Sequence, residues 1–184
     1  DLQAIHQCRV VVAYNGVDNG FYKNMKKPRE KVLLMVGSFK RVKSHHEMLE
    51  AFSMFVEKYE DYHLHLVGDG PLRSELETLV KKLCIEDKVV FLGYKNAKAL
   101  VDIYNRAEVF VLPSKREGFP KVILEAMACG CKILCTPLAV NVRVLGSNYV
   151  GLMKNNAPTE ITKGLERLLA VSIEEHEFDS ICKA

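Results

Sequence analysis

Several absences narrow what this chain can be. No apolar stretch approaches the roughly 20 residues that a bilayer-spanning helix requires, since the longest runs resemble Val109-Phe110-Val111-Leu112-Pro113, and no charged-then-apolar leader opens the chain. The expectation is a soluble, cytoplasmic protein. Charge of neither sign dominates: 26 Lys and Arg stand against 23 Asp and Glu, for a net charge of +3. Such a mixed surface gives nucleic acid no polycationic face to bind. The six cysteines (Cys8, Cys84, Cys129, Cys131, Cys135 and Cys182) lack the dense, regular spacing of a disulfide framework, so a reducing compartment is expected. There is no Asp-x-Asp, which argues against a metal-bridged diphosphate site, and no metal or other cofactor is expected. No Ser/His/Asp or Cys/His arrangement stands out as a nucleophilic centre.

What is present is enough for one domain. A length of 184 residues, 48% hydrophobic and 27% charged, has the size and apolar fraction of a globular unit with its own core. The start at Asp1, without a methionine, reads as a fragment or a processed product with something N-terminal to it missing. From about residue 31 onward, short β-branched or apolar runs alternate with segments of helical period, as in βαβ units around a parallel sheet. Strands are predicted at 31–36, 63–68, 88–92, 108–112 and 132–136, with weaker ones at 9–13 and 151–153. The fold class expected is therefore α/β, a Rossmann-like open parallel sheet of about six strands with helices on both faces. In the first helix, 45–59, Met48, Leu49, Phe52, Phe55, Val56 and Tyr59 form one stripe, with Ser44 and Glu47 as a capping box. A second helix begins at Pro71, and others are read at 97–107, 121–129 and 160–169. The acidic stretch 174–177 reads as exposed or frayed.

In open α/β sheets ligands settle beyond the carboxyl ends of the strands. Three predicted loops there carry unusual chemistry. The first, from Gly37 and Ser38 to Lys43, places Lys40, Arg41 and Lys43 within four positions, a cluster suited to a diphosphate; the plainer alternative is a solvated basic turn. The second, Gly68-Asp69-Gly70-Pro71, has glycines that permit close backbone approach to a ligand, or that serve only a tight reversal. In the third, 113–121, Pro120 suits a first helical position, so the amides of Phe119, Lys121 and Val122 would face an anion. Glu117 stands just ahead of that anion site, where a carboxylate is unfavourable unless it has a task such as accepting from sugar hydroxyls. Glu125 lies within the apolar helix Val122-Ile123-Leu124-Glu125-Ala126-Met127-Ala128 and should find a cation or a ligand hydroxyl. The structural alternatives are a helix-capping acid for Glu117 and a lysine salt bridge for Glu125.

Other features carry less weight. Cys129, Cys131 and Cys135 invite a zinc reading but run from a helix end into a buried strand, where cysteine serves as a small core residue. His45-His46 and His63/His65 resemble ligand pairs, yet read more simply as surface or interface histidines.

Taken in order, these loops resemble the C-terminal domain of the retaining glycosyltransferases of family 4, with GT-B architecture. The resemblance runs through Asn15-Gly16-Val17-Asp18, Phe21, the loop 37–43, Gly68-Asp69-Gly70-Pro71 and Phe91-Leu92-Gly93 to Glu117-Gly118-Phe119-Pro120-Lys121-Val122-Ile123-Leu124-Glu125, followed by Ala126-Met127-Ala128 and Gly130. It implies that Lys43 contacts the donor diphosphate, that the amides from Phe119 to Lys121 bind phosphate and sugar hydroxyls, that Glu117 faces the transferred sugar, that Glu125 binds the ribose, and that the backbone near Gly93 and Tyr94 holds the base. The partners implied are a nucleotide diphosphate sugar and, through an absent N-terminal domain, a glycan or lipid-linked acceptor, with peripheral association of the full-length protein at the inner face of the membrane. A non-catalytic nucleotide- or sugar-phosphate-binding regulatory module is the alternative, and a plain interaction domain a third. Two positions depart from the family pattern. Ser38 stands where an arginine is common, leaving Arg41 or Lys40 as substitutes, and 139–143 replaces a glycine-rich turn, with Arg143 near the usual glutamate.

Overall fold

The computed structural model of the chain describes residues 17, 18 and 21–171. Its strands are β1 (Glu30–Val36), β2 (His63–Val67), β3 (Val89–Gly93), β4 (Ala107–Leu112) and β5 (Lys132–Cys135). They form one parallel five-stranded sheet in the order β3-β2-β1-β4-β5. The last five residues of β1 and the last four of β4 are buried on both faces, which is why they read as continuous apolar runs and not as an alternation. The described sheet is one strand short of the expected six. The segment 151–153 contributes only an isolated bridge between Cys135 and Leu152, and 9–13 lies outside the described residues.

Among the described residues six α-helices connect and flank the strands: α1 (His45–Val56), α2 (Arg73–Lys82), α3 (Ala97–Arg106), α4 (Lys121–Ala128), α5 (Ala139–Leu145) and α6 (Pro158–Ala170). The core divides into two clusters, one per face of the sheet. The first joins Leu33, Leu64 and Leu66 to Phe52 of α1, Leu76 of α2 and Leu165 of α6. The second joins Leu34 and Phe110 to Tyr104 of α3, Ile123 of α4 and Leu145 of α5. Helices thus cover both faces. Among the described residues no helix is long and apolar enough to cross a membrane.

Local details depart from the sequence reading. The Ser44 hydroxyl does not cap α1, because Ser44 sits in the left-handed region (φ 60°) behind a short 3-10 turn at Arg41–Lys43. It accepts instead from Asn156 Nδ2 at 2.9 Å, while Glu47 pairs with Lys115 Nζ at 2.7 Å. Helix α2 starts at Arg73, since the turn before it is held by Leu72 N–H donating to Phe39 O. Helix α5 was not anticipated: Val140, Val142 and Val144 are poor helix formers. Leu145, buried in the second cluster, and Asn141 Nδ2, which donates to Thr136 O, supply what propensity does not.

Candidate active site at the sheet switch point

The strand order reverses between β1 and β4. From β1 the chain winds outward through β2 to β3, then crosses back to lay β4 on the other side of β1. The loops leaving the carboxyl ends of β1 and β4 therefore diverge and leave a crevice, the place where ligands bind in open α/β sheets. These are the first and third loops singled out in the sequence.

Phe39 explains how the first loop is fixed. Its side chain is fully buried in the first core cluster, edge-on to Phe91 with centroids 6.0 Å apart, and the Arg73 guanidinium lies over Phe91 at 4.6 Å. With Phe39 anchored inward, Ser38, Lys40 and Arg41 are left exposed and only Lys43 turns toward the crevice. Arg41 leans the other way, 3.8 Å from Glu75 on α2. The glycines of the second loop answer to this same packing. A Cβ on Gly68 would lie 2.0 Å from Gly37 O, and one on Gly70 2.7 Å from Phe39 O. Gly68 and Gly70 thus let the first two loops touch, backbone on backbone, with Phe39 N–H donating to Asp69 O at 2.9 Å. Gly68 N–H donates in turn to Gly93 O, so the ends of β1, β2 and β3 form one rim. Tyr94, beside Gly93 on that rim, is the most exposed aromatic residue described, at 83%.

The first and third loops are zipped together across the crevice. Lys115 N–H donates to Val42 O at 2.8 Å, and Lys43 Nζ meets Glu117 Oε1 at 2.7 Å. The side chains of that pair are 19% and 9% exposed, so it sits largely out of solvent. Glu117 is accordingly no helix-capping acid; α4 has no side-chain cap. Its N-cap residue is Pro120, one place ahead of the first-turn position expected from sequence, and the Lys121 amide donates to Phe119 O at 3.0 Å. Lys121 N–H is thus already engaged, which removes one of the three amides anticipated for an anion. Val122 lies in the first turn of α4, where the Ile123 amide is engaged as well, donating to Pro120 O at 3.0 Å. Gly118 would meet nothing within 4 Å if it carried a Cβ, so the space beside Glu117 is open.

Within the fold Glu125 is not held by the lysine salt bridge that the sequence offered as its structural alternative. Its Oε2 accepts from the Tyr104 hydroxyl at 3.0 Å and the Tyr22 hydroxyl also bonds the carboxylate, so its partners within the fold are phenols and not a cation. The residues below it are ordered by Arg29, whose guanidinium donates to Tyr104 O, Ala107 O and Cys129 O, binding the ends of α3 and α4. The cysteines nearby belong to the core. Cys131 donates to Tyr104 O, and burial pushes the thiols of Cys129, Cys131 and Cys135 up to about 11, 12 and 12. His45 is the other correction: at 1% exposure it is neither a surface nor an interface residue, and burial first, then the neighbouring His46 and Lys43, lowers its pKa to about 4.

Sequence reasoning missed a polar cluster at the ends of β4 and β5. Thr136 Oγ1 donates to Ser114 O at 2.7 Å and Asn141 Nδ2 to Thr136 O at 3.0 Å, with all three residues buried. The chain Ser114-Thr136-Asn141 ties α5 to the loop that carries Glu117. Single hydroxyls and amides of this kind give no pattern in a sequence.

Known proteins share this fold. The chain is 32% identical over 126 residues to N-acetylgalactosamine-N,N'-diacetylbacillosaminyl-diphospho-undecaprenol 4-alpha-N-acetylgalactosaminyltransferase of Campylobacter jejuni, covering 68% of this chain and 33% of that one. It spans between 27% and 40% of the length of four such curated relatives. The fold superposes with a TM-score of 0.73 on the C-terminal domain of a glycosyl transferase group 1 family protein from Francisella tularensis, at 22% identity over 91% of this chain and 93% of that one. With a TM-score of 0.74 and 20% identity it also matches an Anabaena protein crystallised with UDP and glucose, over 92% of this chain and 49% of that one. The family model described as glycosyl transferases group 1 matches residues 18–182, and the chain belongs to that family of GT-B glycosyltransferases.

Proposed function

We propose that this chain is the donor half of a retaining glycosyltransferase, which binds a UDP- or GDP-sugar at the crevice between β1 and β4 and transfers the sugar to a glycan or lipid-linked acceptor with retention of anomeric configuration. The observation that carries the reading is the Lys43–Glu117 pair, 2.7 Å apart, at the point where the strand order reverses. An ammonium that is already desolvated and aimed into the crevice is a preorganised counter-charge for a departing diphosphate, and charge-assisted contacts of that kind are worth about 1.5–3 kcal/mol. The diphosphate displaces the ammonium from Glu117, and the freed carboxylate accepts from the sugar hydroxyls beside Gly118. Amides at the start of α4 add a partial positive charge for phosphate. Tyr94, exposed on the rim, offers a face to the base, and Glu125 an acceptor for the ribose. Lys43 carries the diphosphate contact without help from Arg41, which is 78% exposed and leans toward Glu75.

Several features of the relatives support this reading: the Anabaena neighbour holds UDP and glucose, and the Campylobacter relative is named for a lipid-linked acceptor. The partial coverage of those relatives supports a second, acceptor-binding domain on the N-terminal side, so that the isolated chain binds donor and turns over poorly. Synthesis of cell-surface polysaccharide or glycoconjugate, at the inner face of the membrane, is the setting this chemistry fits. The test is a thermal-shift panel of UDP, GDP, ADP and their sugars. At least one should raise the melting temperature, and Lys43→Ala should abolish the shift; no shift with any of them at millimolar concentration would sink the reading. In the longer protein, transfer that survives Glu117→Ala unchanged would remove that residue from the mechanism.

A further inference from the structure

Glu125 is the one acid of α4, and its environment is unusual for a ligand-binding carboxylate. The helix around it is apolar or small, Ile123, Ala126 and Met127 being buried. Its Oε2 is taken by the Tyr104 hydroxyl at 3.0 Å, and Tyr104 is itself fully buried, packed edge-on against Phe110 at 5.9 Å and Tyr22 at 6.4 Å. Burial first, and the Glu125 carboxylate second, hold the Tyr104 proton well above the usual phenol range. Burial first, then the charge of Glu125 and a hydrogen bond to it, raise the Tyr22 phenol as well. At any working pH the Tyr104 hydroxyl is therefore a fixed donor with a single acceptor to serve.

A carboxylate has four lone-pair sites on two oxygens and free rotation about its last bond. A donor locked in the core removes that rotation: with the Tyr104 hydroxyl on Oε2 and the Tyr22 hydroxyl also bonded to the carboxylate, two of the four sites are taken and the other two, fixed in direction, are left to accept from outside the fold. Resting on the reading that Glu125 takes the ribose, we propose that Tyr104 is the positioning residue for that carboxylate, and that the Tyr104–Glu125 hydrogen bond sets the preference for ribose over 2'-deoxyribose in the donor. Tyr104 touches no substrate; it acts by fixing where the acceptor oxygen points. Aromatic contacts with Tyr22 and Phe110 keep the phenol from following Glu125 if the carboxylate swings.

The experiment uses the 184-residue chain and three nucleotide pairs, UDP, GDP and ADP, each with its 2'-deoxy form, with affinities from calorimetry. In the wild type the pair that binds should show a preference for ribose of about tenfold or more, the worth of one hydrogen bond to a charged group. Tyr104→Phe should cut that preference by about threefold or more while binding of the deoxy form changes little, which loss of fold would not produce. In a Glu125→Ala background the same substitution should change nothing further. Glu125→Asp, which withdraws the carboxylate from Tyr104 without loss of charge, should lower the preference as well and serves if Tyr104→Phe does not fold. A wild type that binds none of the six overturns the donor reading and the inference with it; one that binds nucleotide without preferring ribose overturns the ribose role of Glu125 and the inference, and leaves donor binding standing. A wild-type preference that survives in Tyr104→Phe, or in Glu125→Asp, overturns the inference alone.

Discussion

Lys43 and Glu117 lie 74 residues apart in sequence and 2.7 Å apart in the fold, one at the end of the loop after β1 and the other in the loop after β4. Because Glu117 is 9% and Lys43 19% exposed, neither charge can be left alone cheaply. Glu117→Ala should therefore destabilise the chain by about 2–4 kcal/mol, and Lys43→Met added to it should recover most of that loss, since the pair is then replaced by apolar surface. Urea unfolding of the two single variants and the double variant measures the coupling. A coupling below about 0.5 kcal/mol, the level of an exposed pair, would mean the contact does not organise the crevice.

The glycines of the two kinds of loop should separate cleanly by stability. Gly68 has φ 132° and no room, with Gly37 O 2.0 Å from where a Cβ would lie. Gly118 has open space and an unremarkable φ. Gly68→Ala should cost about 2–4 kcal/mol through backbone displacement, whereas Gly118→Ala should stay within about 0.5 kcal/mol and report on ligand binding alone. Equal stability of the two variants in chemical denaturation would contradict the loop packing described.

His45 makes stability depend on pH. In the folded chain its pKa is lowered to about 4 from the ordinary 6.5, by burial first and by His46 and Lys43 next, with Glu47 opposing. Between those values the unfolded chain binds a proton that the folded chain does not, so stability rises with pH across this window and is lost as pH falls through it. The difference amounts to about 3 kcal/mol at 1.4 kcal/mol for each tenfold change. His45→Phe, which can keep the edge contact with Phe39 now 4.8 Å between centroids, should flatten that limb of the curve. Denaturation midpoints taken from pH 4 to pH 7 check it; an unchanged slope in the variant would assign the pH dependence elsewhere.

What the sequence made legible follows from the range of the interactions involved. Helices α1, α2 and α6 announce themselves because their core contacts recur at three and four residues, and β1 and β4 because both faces are buried. Glu117 and Glu125 stood out for the opposite reason, as charges in places where charge is costly. Their partners did not: Lys43 lies 74 residues from Glu117, and Tyr104 lies 21 residues from Glu125 with a helix and a strand boundary between them. Ser44 looked like a cap by its spacing to Glu47, but the 3-10 turn ahead of it sets a backbone that the side chain cannot cap from. Helix α5 was hidden by its own valines and exists through Leu145 and Asn141, contacts that only the tertiary fold supplies.

Cysteine chemistry offers a check on the core that is independent of any ligand. The reacting species is the thiolate, and a thiol with pKa near 12 is ionised at only about one part in ten thousand at pH 8. Cys131 and Cys135 have such values, Cys129 one of about 11, and all three are buried, while Cys84 is exposed. Alkylation of the native chain at pH 8 should label Cys84 quickly and leave those three for the unfolding step, so that their labelling rate follows the global opening of the protein and rises together with urea. Peptide mapping by mass spectrometry resolves each site. Rapid labelling of Cys131 in native conditions would mean that the junction of α3, α4 and β5, where its thiol donates to Tyr104 O and Arg29 binds the helix ends, opens on its own; the support beneath Glu125 would then be mobile, and a rigid Tyr104 could not be what orients that carboxylate.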